Sequence, residues 1–313
     1  MNILIIGGTR FQGRYLVGEL LNAGHAVTVF HRGSHPIDPC GNLTDIIGDR
    51  DTPADLASLD YREFDTCIDT CAYFPGQIEL LAGSIKCRHY CLISSVYVYA
   101  DQDTLLREDA QKLRVPNGTG LGLSADNYGA LKVLCEEAAL ACFGKESLIL
   151  RPSFIIGIGD HTERILFWLR LAEIHGKGLD VAGRKPVIQL VDVRDLALFT
   201  ARCVETQKQG AVNVCGQPIG FSAFLNLIEA ITSRVLPRAS IHAHDLYRLG
   251  LARLPYFEDN HLARYDTTLS QAWGFTNRDL RDSLLDIYMD HRRHGFVMRN
   301  FQAEEAAVLR LFA

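Results

Sequence analysis

The sequence predicts an α/β protein, a doubly wound parallel sheet joined to a smaller mixed C-terminal part. Three observations predict it. Short apolar runs alternate with helical stretches through the first half of the chain. Those runs are almost continuously apolar, which suits strands buried on both faces. The first of them ends in glycines that open a helix.

The elements follow in order. NILIIG (2–7) reads as a strand, and FQGRYLVGELLNAG (11–24) as a helix that Gly24 ends. AVTVFHR (26–32) is a second strand, DIIGD (45–49) a short third, and FDTCIDTCA (64–72) holds a fourth. GQIELLAGSIK (76–86) is a helix and HYCLISS (89–95) a fifth strand. Residues 128–143 form a longer helix, and SLILRPS (147–153) is a sixth strand. Past residue 155 the rhythm loosens. RILFWLRLAEIH (164–175) is a helix followed by a Gly/Lys/Arg-rich loop, and VIQLVDVRDLALFTARCVE (187–205) reads as strand then helix. GAVNVCG (210–216) is a further strand and FSAFLNLIEAITSRV (221–235) an amphipathic helix. The tail mixes Arg, His and aromatics without a readable period.

Composition narrows the function classes. The 313 residues are 48% hydrophobic and 22% charged, ordinary for a globular chain able to bury a core without disulfides or metals. A net charge of −5 gives no general pull toward nucleic acid or anionic membrane. No apolar run reaches the roughly 18–20 residues that span a bilayer. The opening MNILIIGG lacks the basic leader and the length of a signal peptide. The nine cysteines sit partly inside strand-like runs (Cys67, Cys91, Cys215) and read as reduced thiols packed as small apolar groups, from which a reducing cytoplasm is expected. The spacings of Cys67 with Cys71 and of Cys87 with Cys91 are not those of a zinc site, and no metal is predicted.

LIIGGTRFQGR (4–14) carries the cofactor signal. Gly7 and Gly13 keep the spacing Gly-x-x-Gly-x-x-Gly, while Arg10 holds the middle position. The first glycine permits the tight turn off the strand, and the last lets helix pack closely on sheet. The helix-start amides then face a pyrophosphate, with Thr9, Arg10, Phe11 and Gln12 lining the turn. A nicotinamide dinucleotide site is therefore predicted, within a Rossmann-type domain of residues 1–155 plus about 189–215. Residues 156–188 and 216–313 form the substrate-binding part.

An NAD site usually ends its second strand in an acidic residue that binds the ribose hydroxyls. Here the strand ends in His31 and Arg32. A carboxylate would repel a 2′-phosphate, whereas Arg10 and Arg32 would attract it. NADP(H) is thus expected over NAD(H). Asp49 is placed either to accept from the adenine amino group or to cap a turn, and Arg50 and Cys71 are counted with the cofactor site.

The catalytic signal lies in SSVYVY (94–99), at the end of the fifth strand, and NYGALK (127–132), at a helix start. Tyr128 and Lys132 are four apart, so they share a helix face. An ammonium beside a phenol favours the phenolate, which makes Tyr128 a usable general acid/base. A serine hydroxyl opposite would hold the substrate oxygen.

With these residues in place the chain resembles an extended short-chain dehydrogenase/reductase of the NAD-dependent epimerase/dehydratase type. GGTRFQG stands for the family's glycine motif, and Ser95, Tyr128 and Lys132 for its catalytic triad. LRPSFIIGIGD (150–160), VDVRDLA (191–197) and VNVCG (212–216) resemble its later landmarks. Ser95 is taken over Ser94 because the family's serine or threonine lies three before Val98. The resemblance implies hydride transfer between a nicotinamide and a secondary alcohol or ketone carbon of a sugar, nucleotide-linked in the family's manner. Tyr128 would move the proton, Lys132 would tune it and bind the nicotinamide ribose, and Ser95 would orient the substrate oxygen. A homodimer is common in such a family.

Three departures sharpen the expectation. Arg10 replaces the middle glycine, as in a GGTRF subgroup that includes chloroplast stem-loop-binding proteins. His31-Arg32 replaces the acidic residue. Val96 and Tyr97 fill the positions where sugar 4,6-dehydratases carry Asp-Glu, which leaves epimerisation or ketone reduction ahead of dehydration. Substrate candidates are Cys71, Ala72, Tyr73, Asp160, His161, Arg164, Arg184, Lys185 and Gln189. Arg194 is read either as closing the pocket or as paired with Asp195. The alternative function is a nucleic-acid-binding or NADP-sensing regulatory protein on the same fold, which the acidic net charge and the intact Ser95, Tyr128 and Lys132 oppose.

Overall fold

In a computed structural model of the chain, the described residues are 1–38, 40–60, 62–100, 104–115, 122–182, 187–251, 253–255 and 264–313. The first half runs β1 (Asn2–Ile6), α1 (Gln12–Asn22), β2 (Ala26–His31), β3 (Leu43–Ile47), α2 (Pro53–Leu56), β4 (Glu63–Asp69), α3 (Pro75–Ser84) and β5 (Lys86–Ile93). Then come β6 (Leu105–Leu106), α4 (Ala125–Phe143), β7 (Leu148–Pro152), β8 (Phe154–Ile156), α5 (Arg164–Glu173), β9 (Gly178–Ala182) and β10 (Val187–Asp192). The chain continues with α6 (Val193–Glu205), β11 (Gly210–Val214), β12 (Pro218–Gly220), α7 (Phe221–Thr232), β13 (Arg238–His242) and β14 (Arg264–Tyr265). Three helices close it: α8 (Thr268–Ala272), α9 (Leu280–His294) and α10 (Gln302–Arg310).

Seven strands form one sheet in the order β11-β7-β5-β4-β1-β2-β3. Every pair in it is parallel. The apolar runs explain the layering. On β1, Ile3 and Ile5 bury against Leu16, Val17 and Leu20 of α1 and the inner side of α6. Leu4 and Ile6 bury on the opposite face with Ile78 and Leu81 of α3 and Cys135 and Ala139 of α4. Both faces of the sheet are therefore covered by helices, the arrangement that continuous apolar strands require. At roughly 1.5–3 kcal/mol for each fully buried large apolar side chain, this burial is the main force holding the layers.

The strand order reverses between β1 and β4, and such a reversal opens a crevice at the carboxyl ends of the two strands. Gly7 follows β1 and Thr70 follows β4 at that point; the Thr70 hydroxyl donates to the Ile6 carbonyl at 2.8 Å.

The later strands build separate small sheets. β10 pairs in parallel with β8 and antiparallel with β12. The segment about 189–215 thus divides: β10 joins the small sheet, while β11 joins the large one. β13 pairs with β9 and β14 with β6. A second core, around Trp168, Phe221, Phe224, Leu284 and Tyr288, packs α5, α7 and α9 together. All nine cysteines are free thiols; Cys67, Cys91, Cys135, Cys203 and Cys215 are buried, while Cys40 and Cys142 are exposed. Among the described residues no helix is long and apolar enough to cross a membrane.

Candidate active site

The glycine turn joins β1 to α1. Gly7 and Gly8 have φ of 93° and 83°, and a Cβ on Gly13 would stand 2.5 Å from the Gly8 Cα. Gly13 is thus fixed by close approach. Arg10 is not among the positive-φ residues, so its side chain replaces the middle glycine without backbone strain. The strain falls on Phe11, at φ 39° and ψ −114°. No side chain caps α1, and its first turn holds no acidic residue. The N–H groups of Phe11 and Gln12 bond to no backbone carbonyl, and the Gln12 Nε2 is buried without a partner. Orphaned amides at a positive helix end, in a turn that Gly13 lets pack closely on Gly8, fit a dinucleotide pyrophosphate. Thr9 is buried in the turn.

At the end of β2, His31 and Arg32 diverge. Arg32 and Arg10 are exposed, and neither enters an ion pair among the described residues. His31 differs from expectation. Its ring is buried; Nε2 meets Asp45 Oδ1 at 2.6 Å, and Nδ1 accepts from the Gly33 N–H at 3.1 Å. These partners assign the proton to Nε2 and leave no ring nitrogen for a ribose phosphate.

Arg50 departs in the same way. It is buried and grips Asp69 bidentately, Nη1 to Oδ1 at 2.6 Å and Nη2 to Oδ2 at 2.7 Å. Asp69 also accepts from Tyr90 Oη at 2.9 Å and the Cys71 N–H at 3.1 Å. Burial pushes the Asp69 carboxyl up, but the Arg50 charge and these bonds outweigh it and hold the group below its ordinary range. Arg50 therefore ties the β3 end to β4 and has no free fork for a cofactor. Asp49 caps a turn through Oδ1, which accepts from the Asp51 N–H at 3.0 Å. Burial raises the Cys71 thiol, whose Sγ lies 3.6 Å from the Ile6 carbonyl beside Gly7.

The residues of the catalytic signal converge on the β4 and β5 ends. Lys132 is buried, and Nζ donates to the carbonyls of Ala72 at 2.8 Å and Ile93 at 2.9 Å. An ammonium has three donors, so two bolt α4 to the sheet and the third remains for the site. Nζ stands 5.2 Å from the Tyr73 ring centre and 5.9 Å from that of Tyr128. Burial raises the Tyr73 phenol and the Lys132 charge opposes it.

Ser95 begins a one-turn 3-10 helix, and its Oγ accepts from the Tyr97 N–H at 3.2 Å. Ser94 turns inward, donating to Glu136 Oε1 at 2.7 Å. Glu136 is fully buried, gripped by Arg151 through Nε at 2.8 Å and Nη2 at 2.7 Å. The Arg of the Arg-Pro segment thus anchors α4 from beneath. Sequence reading missed Glu136, although it lies four residues after Lys132 and so on the same helix face.

Tyr128 is half-buried on the first turns of α4, whose N-cap is Ser124. Its ring meets that of Tyr97 edge-on at 6.0 Å, and Tyr97 meets Phe154 at 5.9 Å. Gly129 makes this possible, because a Cβ there would strike the Tyr97 carbonyl.

The outer substrate candidates separate. The Arg164 guanidinium lies 5.3 Å from the Phe154 ring centre. His161 is exposed, with its ring edge-on to Phe11 at 6.3 Å. Partial burial lowers the His161 ring pKa, and the charges of Arg10 and Arg164 lower it further. Burial raises the Asp160 carboxyl, although Thr162 donates to it. Gln189 is a structural pin. Its Nε2 donates to the Gly216 and Tyr265 carbonyls at 2.9 and 3.1 Å, and Oε1 accepts from the Tyr265 N–H at 2.7 Å. Arg194 pairs with Asp192 and Asp286, both at 2.7 Å, and Asp195 pairs with Arg278 at 2.9 Å, so Arg194 and Asp195 each find other partners. Arg184 and Lys185 lie outside the described residues. Among the described residues no group of three or more His, Cys, Asp or Glu stands together to hold a metal.

A parallel sheet with a glycine turn at its switch point has the form of a nucleotide-binding α/β fold. The model of the NAD dependent epimerase/dehydratase family matches residues 3–215, and the chain belongs to that family. It is 34% identical over 125 residues to the chloroplast stem-loop binding protein of 41 kDa b of Arabidopsis thaliana, covering 34% of this chain and 33% of that protein. It is 26% identical over 191 residues to a 3-beta-hydroxysteroid dehydrogenase of Mycolicibacterium neoaurum, covering 51% and 49%. The chain thus spans a third to a half of the length of these curated relatives. The fold is shared with MoeE5 in complex with UDP-glucose and NAD (TM-score 0.70, 20% identity, 94% of this chain and 99% of that one). It is also shared with UDP-glucuronic acid 4-epimerase from Bacillus cereus in complex with NAD (TM-score 0.70, 15% identity, 96% and 100%).

Proposed function

We propose that the protein is an NADP(H)-dependent oxidoreductase or epimerase acting at a secondary alcohol or ketone carbon of a nucleotide-linked sugar. The observation that carries this reading is the Lys132 ammonium, held by two carbonyls at the strand ends and standing within 6 Å of the Tyr128 ring. The nucleotide-sugar and NAD complexes of the structural neighbours support the substrate and cofactor class.

When bound, the dinucleotide supplies or accepts the hydride. The chain handles the proton. In reduction, the Tyr128 hydroxyl donates its proton to the oxygen of the carbonyl as it becomes an alcohol. The Lys132 charge stabilises the phenolate left behind. The Ser95 hydroxyl donates to the same oxygen and fixes its position. Val96 is buried and Tyr97 half-buried at the positions after Ser95, and neither offers a carboxyl for loss of water. Net ketone reduction is favoured within this reading, since an epimerase must retain its cofactor and recycle it.

NADP(H) is preferred to NAD(H) on the strength of Arg10 and Arg32, both exposed beside the glycine turn and the β2 end, with Asp45 engaged by the His31 ring. Gly7, Thr9, Phe11, Gln12 and Gly13 cradle the pyrophosphate, and Tyr73, His161 and Arg164 border the substrate. The enzyme is taken as cytoplasmic, with a homodimer as its expected assembly. The test is NADPH oxidation followed at 340 nm with a panel of nucleotide-linked ketosugars. Turnover that disappears in Tyr128→Phe supports the reading; turnover undiminished in that variant overturns it.

The identity to a stem-loop-binding protein favours a second reading, a nucleic-acid-binding or NADP-sensing regulator. A titration with labelled stem-loop RNA decides. Tight, salt-sensitive binding at physiological salt supports the regulator.

A further inference from the structure

Lys132 is a buried cation without a buried anion. The residue is 3% exposed, and among the described residues no carboxylate pairs with it. Burying a charge is costly unless its surroundings compensate it. Two of its N–H groups are met by the Ala72 carbonyl after β4 and the Ile93 carbonyl at the end of β5, at 2.8 and 2.9 Å. Two phenol rings stand close by. The Tyr73 ring centre lies 5.2 Å from Nζ and the Tyr128 ring centre 5.9 Å. Both are within the roughly 6 Å over which a ring face attracts a cation, and Tyr73 is the nearer.

The chain holds Tyr73 in this place. It follows Ala72 directly, so one short segment gives both a carbonyl and a ring to the same ammonium. Its N–H donates to Gln77 Oε1 at 2.9 Å, and the Phe74 N–H donates to the same oxygen at 3.2 Å. Gln77 Nε2 donates in turn to Asp51 Oδ1 at 2.8 Å. The backbone of residues 73–74 is thus tied to the first turn of α3.

Tyr73 is 37% exposed, so its ring lies between the buried ammonium and solvent. Partial burial raises its phenol above the ordinary value, so it faces Lys132 as a neutral ring and not as a phenolate. The Tyr73 and Tyr128 ring centres are 6.5 Å apart. One ammonium and two phenols therefore form a single group at the β4 and β5 ends.

We propose that Tyr73 is a positioning residue of the acid/base set, whose ring shields the Lys132 ammonium from water and keeps its charge effective on the Tyr128 phenol. The proposal rests on the acid/base reading of Tyr128 and gives Tyr73 a role besides bordering the substrate. Its physical basis is dielectric. A charge in a dry site acts on its neighbour several times more strongly than one that water reaches. Replacing the ring by a smaller side chain admits water to Nζ, and a phenolate at 128 loses part of its support.

The experiment compares wild type, Tyr73→Phe and Tyr73→Leu in two readouts. One is the pH dependence of NADPH-driven reduction of a nucleotide-linked ketosugar. The other is acylation of Lys132 by an amine-reactive ester, measured by mass spectrometry on the ligand-free protein. Tyr73→Leu is expected to move the alkaline limb of the pH profile upward by about one unit, the order of a desolvated cation–π contact. The direction is upward because an unsupported phenolate forms only at higher pH. The same variant raises the labelling of Lys132 several-fold. Tyr73→Phe keeps the ring and matches wild type in the position of the limb and in labelling. An unmoved limb or unchanged labelling in Tyr73→Leu overturns the proposal. Equal shifts in Tyr73→Phe and Tyr73→Leu also overturn it, since the hydroxyl and not the ring would then act. A wild type that reduces no such ketosugar overturns the oxidoreductase reading and the effect on Tyr128 with it; labelling that rises in Tyr73→Leu alone then supports the shield by itself.

Discussion

Gly129 and the Tyr97 carbonyl stand so close that no side chain fits between them. The contact presses α4 onto the turn after β5 and sets Tyr128 beside Tyr97. Gly129→Ala is therefore expected to force the two apart. Overpacking of this kind costs about 1–3 kcal/mol, to be read from denaturant unfolding. Turnover should fall further than stability, by about 100-fold, because a displacement near 1 Å at the reacting groups has that effect. A variant with normal turnover shows that the helix position is not critical.

Tyr128→Phe removes one oxygen from the site and leaves the ring pairs with Tyr97 and Tyr73 in place. Turnover is expected to drop by about 100- to 10,000-fold, the usual share of a general acid. NADPH affinity, measured by titration, should stay near wild type. A large loss of affinity assigns Tyr128 to binding.

Arg10→Ala and Arg32→Ala test the cofactor choice. Each should weaken NADPH by about 10- to 100-fold, the order of a charge-assisted hydrogen bond, and NADH much less. The difference should shrink as salt rises, since both residues are exposed. Equal losses for the two cofactors remove the 2′-phosphate role.

Asp69 and Arg50 govern stability and its pH dependence. Replacing Asp69 by Ala leaves Arg50 buried without its counter-charge, a loss of about 3–5 kcal/mol. The Asp69 carboxyl is held below the ordinary range in the folded protein. Its contribution is therefore fully present above the unfolded carboxylate value, near pH 4, and is lost as pH falls through the lower folded value. Asp69→Asn should flatten the acid limb of a stability–pH profile. An unchanged acid limb contradicts the linkage.

The sequence exposed the sheet because its strands are buried on both faces and so run continuously apolar. It exposed Gly7, Gly13, Tyr128 and Lys132 because each sits in a short local pattern. The misplaced residues all depend on partners far along the chain. His31 is claimed by Asp45, on the neighbouring strand, and Arg50 by Asp69. Gln189 is claimed by Tyr265, 76 residues on. Strand register decides these pairs, and no local pattern reports it. Ser94 and Ser95 were separable only by a family pattern; in the structure Ser94 donates to Glu136, while the Ser95 Oγ accepts from the Tyr97 N–H. The Glu163 carboxylate, which accepts from the Arg299 and Asn300 amides, finds partners that leave no trace in spacing or composition.

The central claim is that the glycine turn and the Ser95, Tyr128 and Lys132 set form one dinucleotide-dependent site. Native mass spectrometry of the purified chain with NADPH and NADH in turn tests it most directly. One dinucleotide per chain is predicted, held more tightly as NADPH than as NADH and retained by Tyr128→Phe. A chain that binds neither nucleotide at millimolar concentration contradicts it.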